Sequence, residues 1–300
     1  MPSAIEIKSR MQSIHKTKKV TDAMYMISSV KMRQAKKEVL NTEPYFTALT
    51  EKISQLLRYI PDTKNRYFHT ELEGRIHARH GILLITSDKG LAGSYNHAAI
   101  EVAEAFMGRH PETVLFIIGE YGRQYFLSKK IPFESDVYFP ANAPSVWDAQ
   151  KICATMIEYF EDGRLDEINV IFTDYKNGRP SECRRACLIP LDKSTFRDKT
   201  AESLEAKDSF KEFIPDAETV LSEIIPSYLT GSVYSYLVDS YCSEQEARMT
   251  AMQTAGNNAE DVLKTLKSEY NGIRQANITR EMTEIASGAK ALKQKRNAYE

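Results

Sequence analysis

Helical periodicity dominates both ends of this chain, over runs far longer than an ordinary globular helix. The first run spans about Ile5 to Ile60 and the second about Ala217 to beyond Leu292. At ~1.5 Å per residue they would reach roughly 85 and 115 Å, whereas a mean globular helix has only about 11–12 residues. Isolated helix is marginal in water, so runs of this length need a partner along much of their course. The expectation is a long antiparallel coiled coil of N- and C-terminal helices (1–60 and 210–300) with an open α/β, Rossmann-like domain inserted at 75–195.

Within the first helix the apolar residues fall in patches. Ile7, Met11 and Ile14 form one, Val20, Met24 and Ile27 a second, Met32, Ala35 and Val39 a third. Phe46, Leu49, Ile53, Leu56 and Ile60 complete the run. The register skips between patches, which predicts an irregular coiled coil rather than a strict heptad. Pro44 and Pro226 predict kinks or breaks, and Pro61-Asp62 the end of the first helix. Small residues from Ala247 to Ala259 suit close helix approach as well as high helix propensity.

The middle of the chain alternates strand and helix signals. Gly81–Thr86, Val114–Ile118 and Ile168–Thr173 read as strands, and Arg184–Pro190 as a fourth after an Asn177-Gly178 turn. Helices are expected over Tyr95–Met107, to about Ser128, and from an N-cap at Ser145 to near Gly163, and a short strand near Phe133 is possible. This order argues for an open α/β sheet. Residues 62–80 and 192–210 read as linkers.

The two arms differ in length by roughly 20 residues. The excess should project on the order of 30 Å past the end of the first helix and should be polar all round. Instead Ile278, Met282, Ile285, Ala289 and Leu292 recur at spacings of four and three. Such a stripe predicts a partner from another polypeptide. Folding back, or pairing in a homodimer, are the alternatives.

The formal net charge is −1, so no global field selects nucleic acid or membrane. Locally, residues 1–37 carry nine cations against Glu6 and Asp22. That segment suits an acidic partner, nucleic acid, or simply solvent. No apolar run approaches the ~20 residues of a membrane span, and no signal-peptide core opens the chain, which gives the cytoplasm as the parsimonious compartment. Cys153, Cys183, Cys187 and Cys242 form no CxxC pair, and reduced thiols are expected. The loop Asp88–Gly93 occupies the place of a phosphate-binding turn but matches neither glycine-rich pattern. His77 and His80 lack acidic or Cys neighbours at metal-site spacing. No cofactor, metal or catalytic residue is expected.

Both ends resemble the gamma subunit of the rotary F-type ATP synthase. The N-terminal match is Ile7-Lys8-Ser9-Arg10, Thr17 to Met26 and Lys31-Met32-Arg33; the C-terminal match is Ser243 to Met252, Asn258-Ala259, Tyr270 to Thr279, Glu281 to Ile285 and Ser287-Gly288-Ala289. Thr86 to Gly93 is similar to the family's first strand-turn. The resemblance implies a non-catalytic shaft coupling ion-driven rotation to ATP synthesis or hydrolysis. Implied partners are the alpha and beta subunits of the catalytic hexamer, the epsilon subunit and the membrane c-subunit ring, without nucleic acid or membrane insertion. The implied location is peripheral, on the cytoplasmic face of the energy-coupling membrane, most simply a bacterial plasma membrane. Arg274, Gln275 and Met24 match positions that meet a beta-subunit loop. Ile278, Met282, Ile285, Ala289 and Leu292 match a bearing within an apolar sleeve, and Lys18, Lys19, Lys31 and Arg33 a basic face towards acidic beta-subunit loops. The sequence departs from the family at Phe213-Ile214-Pro215, where many members carry an aromatic-Glu-Pro used at the rotor ring, and at Ala92 and Ser94. Two rival readings remain on residue grounds: a nucleotide-dependent enzyme on the α/β domain, and a nucleic-acid-binding coiled coil.

Overall fold

The computed structural model describes residues 3–61, 63–68, 78–135, 139–175, 181–197 and 213–297, with side chains to residue 290. His77, the Asn177-Gly178 turn, much of both linkers, the Leu292 side chain and the extreme C-terminus lie outside the described residues. The elements in order are α1 (Ala4–Tyr59), β1 (His80–Ile85), α2 (Tyr95–Met107), β2 (Val114–Ile118), α3 (Glu120–Ser128), α4 (Val146–Glu161), β3 (Glu167–Asp174), β4 (Glu182–Ile189), α5 (Ser194–Arg197) and α6 (Ala217–Asn297). They divide into two compact units, Met1–Ile27 with Thr250–Glu300, and Ser28–Met249.

The larger unit contains a four-stranded sheet in the order β2-β1-β3-β4. β1 pairs in parallel with β2 and β3, and β4 joins β3 antiparallel. The period-2 alternation of strand side chains divides the core into two layers. Ile82 and Leu84 pack with Ala99, Phe106 and Phe126 of α2 and α3. Leu83, Ile85, Val170 and Phe172 point the other way, towards α4, Ile53 and Leu56 of α1, and Leu221, Ile225 and Leu229 of α6. The long helices thus form one wall of the α/β core. Ser145 caps α4, its hydroxyl accepting from the Asp148 amide at 3.2 Å. Among the described residues no strand forms near Phe133, and an isolated bridge joins Ile118 and Phe139.

Neither proline breaks its helix. Pro44 lies inside α1 and Pro226 inside α6. Proline in a helix interior costs ~3 kcal/mol, but both helices are held by tertiary burial on either side of it. Thr230 turns its hydroxyl onto the Pro226 carbonyl at 2.9 Å.

The irregular seam expected for α1 is also corrected. Positions 7, 11, 14, 18, 21, 25, 28, 32, 35, 39, 42, 46, 49, 53 and 56 are all buried or half-buried, an unbroken alternation of four and three. The apparent skips arise because Lys18, Thr21, Ser28 and Thr42 occupy seam positions. Val20 and Ile27, the apolar residues beside them, are 57% and 56% exposed.

Burial also perturbs a carboxylate on α6. Burial first, and then the charge of Asp174, pushes the Asp239 carboxyl up to about 7. The native state therefore holds more protons than the unfolded chain between about pH 4 and 7, and stability should fall as pH rises through that window. Asp239→Asn should remove this slope and raise stability at pH 8 by on the order of 2 kcal/mol. Urea midpoints at pH 5 and pH 8 measure it, and an unchanged slope in the variant would assign the pH dependence to other groups.

Candidate functional site

In the smaller unit the N-terminal part of α1 runs antiparallel to α6. Lys18 Nζ lies 2.8 Å from Glu260 Oε2. A Cβ on Gly256 would meet Asp22 Oδ1 at 3.4 Å and Thr21 Oγ1 at 3.5 Å, so its missing side chain brings the helices close. The α6 side of the seam is Met252, Gly256, Ala259, Leu263, Leu266, Tyr270 and Ile273, all buried or half-buried. With residue 18 opposite residue 260, Ala4 is level with about residue 274. From Arg274 to Lys290 every residue is exposed, while α6 continues to Asn297. The single-helix tip is therefore ~35 Å long.

The tip carries the apolar row. Ile278, Met282 and Ile285 are 48%, 66% and 72% exposed, and Ala289 is exposed as well. The seam, continued at its own spacing, would pass through Asn277, Arg280 and Glu284. The row instead lies on the side turned away from the seam, because each residue sits one or two places further on, at ~100° per residue. A longer α1 would therefore not cover it.

The other predicted residues are dispersed. Arg274 and Gln275 are exposed, level with the start of α1, and Met24 is half-buried. Lys18 is engaged in the seam, and its bond to Glu260 holds the ammonium above its usual range. Lys31 donates to Asn142 Oδ1 at 3.0 Å. Lys19 and Arg33 are exposed and occupy the same heptad position two repeats apart.

At the C-terminal edge of the parallel strands, the amides at the start of α3 and at Ala141 are engaged by the chain itself. Asp88 Oδ1 accepts from the Glu120 and Ala141 amides at 3.3 and 3.0 Å. The Tyr121 amide donates to the Ser87 carbonyl, and the Gly122 amide to Thr86 Oγ1. Gly119 has φ +90, and a Cβ there would lie 2.3 Å from the Thr86 carbonyl oxygen. The start of α3 is thus closed against the end of β1 and the turn after it. From α6, Arg248 donates to the Lys89 and Gly90 carbonyls at 3.1 and 3.2 Å. Its guanidinium also lies 2.6 Å from the buried Glu244 carboxylate. Burial pushes the Glu244 carboxyl up, and Arg248 opposes the shift. Sequence reasoning missed this staple, although Glu and Arg four apart on a helix are a visible signal. Among the described residues no group of three or more His, Cys, Asp or Glu could hold a metal ion.

Comparison with known proteins agrees over almost the whole chain. The family model described as ATP synthase matches residues 3–292. The ATP synthase gamma chain of Acetivibrio thermocellus is 36% identical over 291 residues, covering 96% of this chain and 98% of that one. That of Exiguobacterium sp. is 34% identical, covering 97% and 100%. A chain in the Euglena gracilis mitochondrial ATP synthase OSCP/F1/c-ring structure aligns with TM-score 0.62 at 16% identity, over 96% of this chain and 94% of that one. One in the Tetrahymena thermophila central stalk and c-ring structure aligns with TM-score 0.59 at 22% identity, over 79% and 99%. These two alignments support the fold: a pair of long terminal helices with an inserted α/β domain. The family match, together with relatives above 30% identity over nearly their full length, places this chain in the ATP synthase gamma chain family.

Proposed function

We propose that this chain is the central rotary shaft of an F-type ATP synthase, linking the turning of a membrane rotor to nucleotide chemistry on neighbouring subunits. Family membership supports the shaft role. The observation that carries the mechanical reading is the tip, where a single helix bears an apolar row that the described residues leave uncovered. Apolar contact is non-directional, so a row seated in an apolar sleeve can turn without breaking fixed polar pairs at each step. The sleeve is formed by the alpha and beta subunits of the catalytic hexamer, and the epsilon subunit and membrane c-subunit ring hold the other end. The protein sits peripherally on the cytoplasmic face of the energy-coupling membrane. It performs no nucleotide chemistry itself, a reading supported by the self-engaged amides at the start of α3. Rotation biases the beta subunits between conformations, and their occupancy biases the shaft in return.

Arg274, Gln275 and Met24 meet a beta-subunit loop, the Arg fork suiting a carboxylate partner. Lys19 and Arg33 carry the basic contact most directly, since Lys18 and Lys31 are already engaged within the chain. Charge-assisted hydrogen bonds are worth ~1.5–3 kcal/mol. The double substitution Arg274→Ala with Gln275→Ala should therefore slow ATP-driven turnover roughly 10-fold while assembly changes little. Wild-type turnover in the reconstituted complex would remove their role. Reconstitution with alpha and beta subunits, read out as ATP-driven rotation of a bead on this chain, tests the shaft as a whole. A complex that is fully coupled without the chain would overturn it.

A further inference from the structure

The larger unit carries a groove of about 560 Å³ along α1 and α6, between Val39–Ser54 on one side and Tyr228–Ser235 on the other. It exists because α6 has glycine at position 231. The Phe46 ring occupies the space of the missing side chain, where a Cβ would fall 2.1 Å from Phe46 Cδ1. The ring thus sinks into the seam and forms the floor of a trough, 6.3 Å from the Tyr234 ring centroid.

The charged groups of the walls are carboxylates, and their other polar side chains are hydroxyls. Thr42 gives its proton to the Val39 carbonyl at 3.1 Å, and Thr50 to the Phe46 carbonyl at 2.9 Å. Ser54 donates to the Phe196 carbonyl at 2.9 Å, and Ser232 to the Tyr228 carbonyl at 3.2 Å. These hydroxyls are engaged within the chain and Ser54 is buried, so the carboxylates set the character of the groove. Glu43 and Glu51 add exposed carboxylates two turns apart, ~12 Å along the helix. Among the described residues no lysine or arginine lines the groove. Aromatic faces and carboxylates together favour an occupant that brings positive charge on N–H donors.

We propose that this groove docks a basic segment of a partner polypeptide, with lysine or arginine side chains spaced to meet Glu43 and Glu51 across the Phe46–Tyr234 floor. The charge complementarity is local and opposite in sign to the basic stretch at the N-terminus. The inference does not depend on the shaft reading.

The test uses the full chain in cells, carrying a photo-crosslinking p-benzoylphenylalanine at Thr47 inside the groove or, as a control, at the exposed Leu40 outside it. Crosslinked peptides are identified by mass spectrometry in the isolated complex. The expected result is that crosslinks from position 47, unlike those from 40, concentrate on one lysine- or arginine-rich segment. Adding Glu43→Lys with Glu51→Lys should cut their yield at least ~5-fold, while Glu43→Asp with Glu51→Asp should retain most of it. Crosslinks to acidic or neutral segments, to a second copy of this chain, or none above the control overturn the proposal. So does a yield insensitive to the charge reversals. No basic segment recovered, together with saturable spermidine binding to the chain that Glu43→Lys with Glu51→Lys abolishes, would assign the groove to a free polyamine and overturn the protein partner.

Discussion

Arg248→Ala is expected to destabilise the chain by about 3–5 kcal/mol, because it strands a buried carboxylate. Arg248 and Glu244 are 10% and 8% exposed and lie 2.6 Å apart. Arg248 also satisfies the Lys89 and Gly90 carbonyls at the turn after β1. Without the guanidinium, Glu244 must stay protonated to remain inside. The loss should therefore be larger at pH 8 than at pH 5, since the native state then binds a proton that the unfolded chain releases. Amide exchange at Gly90–Ala92 should quicken at the same time. Replacing both partners, Glu244→Leu with Arg248→Met, should cost less than the single change, as no charge is then left unpaired. Urea midpoints of the three chains at both pH values decide the matter; a single-variant loss under about 1 kcal/mol would show the staple to be idle.

Ile285→Asp should have the largest functional effect. Ile285 is 72% exposed in the chain, so its substitution should leave the urea midpoint nearly unchanged. In the assembled complex the proposed sleeve is apolar, and burying an unpaired carboxylate there costs about 3 kcal/mol or more. That corresponds to roughly a 100-fold weaker seating of the tip. Gel filtration with alpha and beta subunits, followed by rotation assays, reads both effects, and Ile285→Leu should behave as wild type. Unchanged assembly and coupling in Ile285→Asp would remove the bearing role from this row.

The sheet was legible because buried strands such as Leu83-Leu84-Ile85 announce themselves by local hydrophobicity, and α4 because Ser145 is a strong N-cap. The overhanging tip was legible by counting residues at fixed rise. The seam was not, because it is defined by what lies opposite. Thr21 is buried since Gly256 makes room for it, while Val20, the more apolar neighbour, faces water. Pro44 and Pro226 break neither helix for a related reason, as local propensity gave way to burial on either side of each proline. Arg248 was concealed because its partners at Lys89 and Gly90 lie over 150 positions away.

The polar places in the seam also act as an index. An antiparallel pair of uniformly greasy helices can slip by a heptad at little cost, whereas a polar group at one seam position names its mate. Sliding α6 by seven residues in one direction would bring Lys267 opposite the Lys18 ammonium; in the other, Gln253 would replace Glu260. Either slip would also move Gly256 away from Thr21 and Asp22 and set a bulkier residue in the narrow place. The two strands of the rod are keyed together, and a twisting force applied at one end meets notches that resist creep.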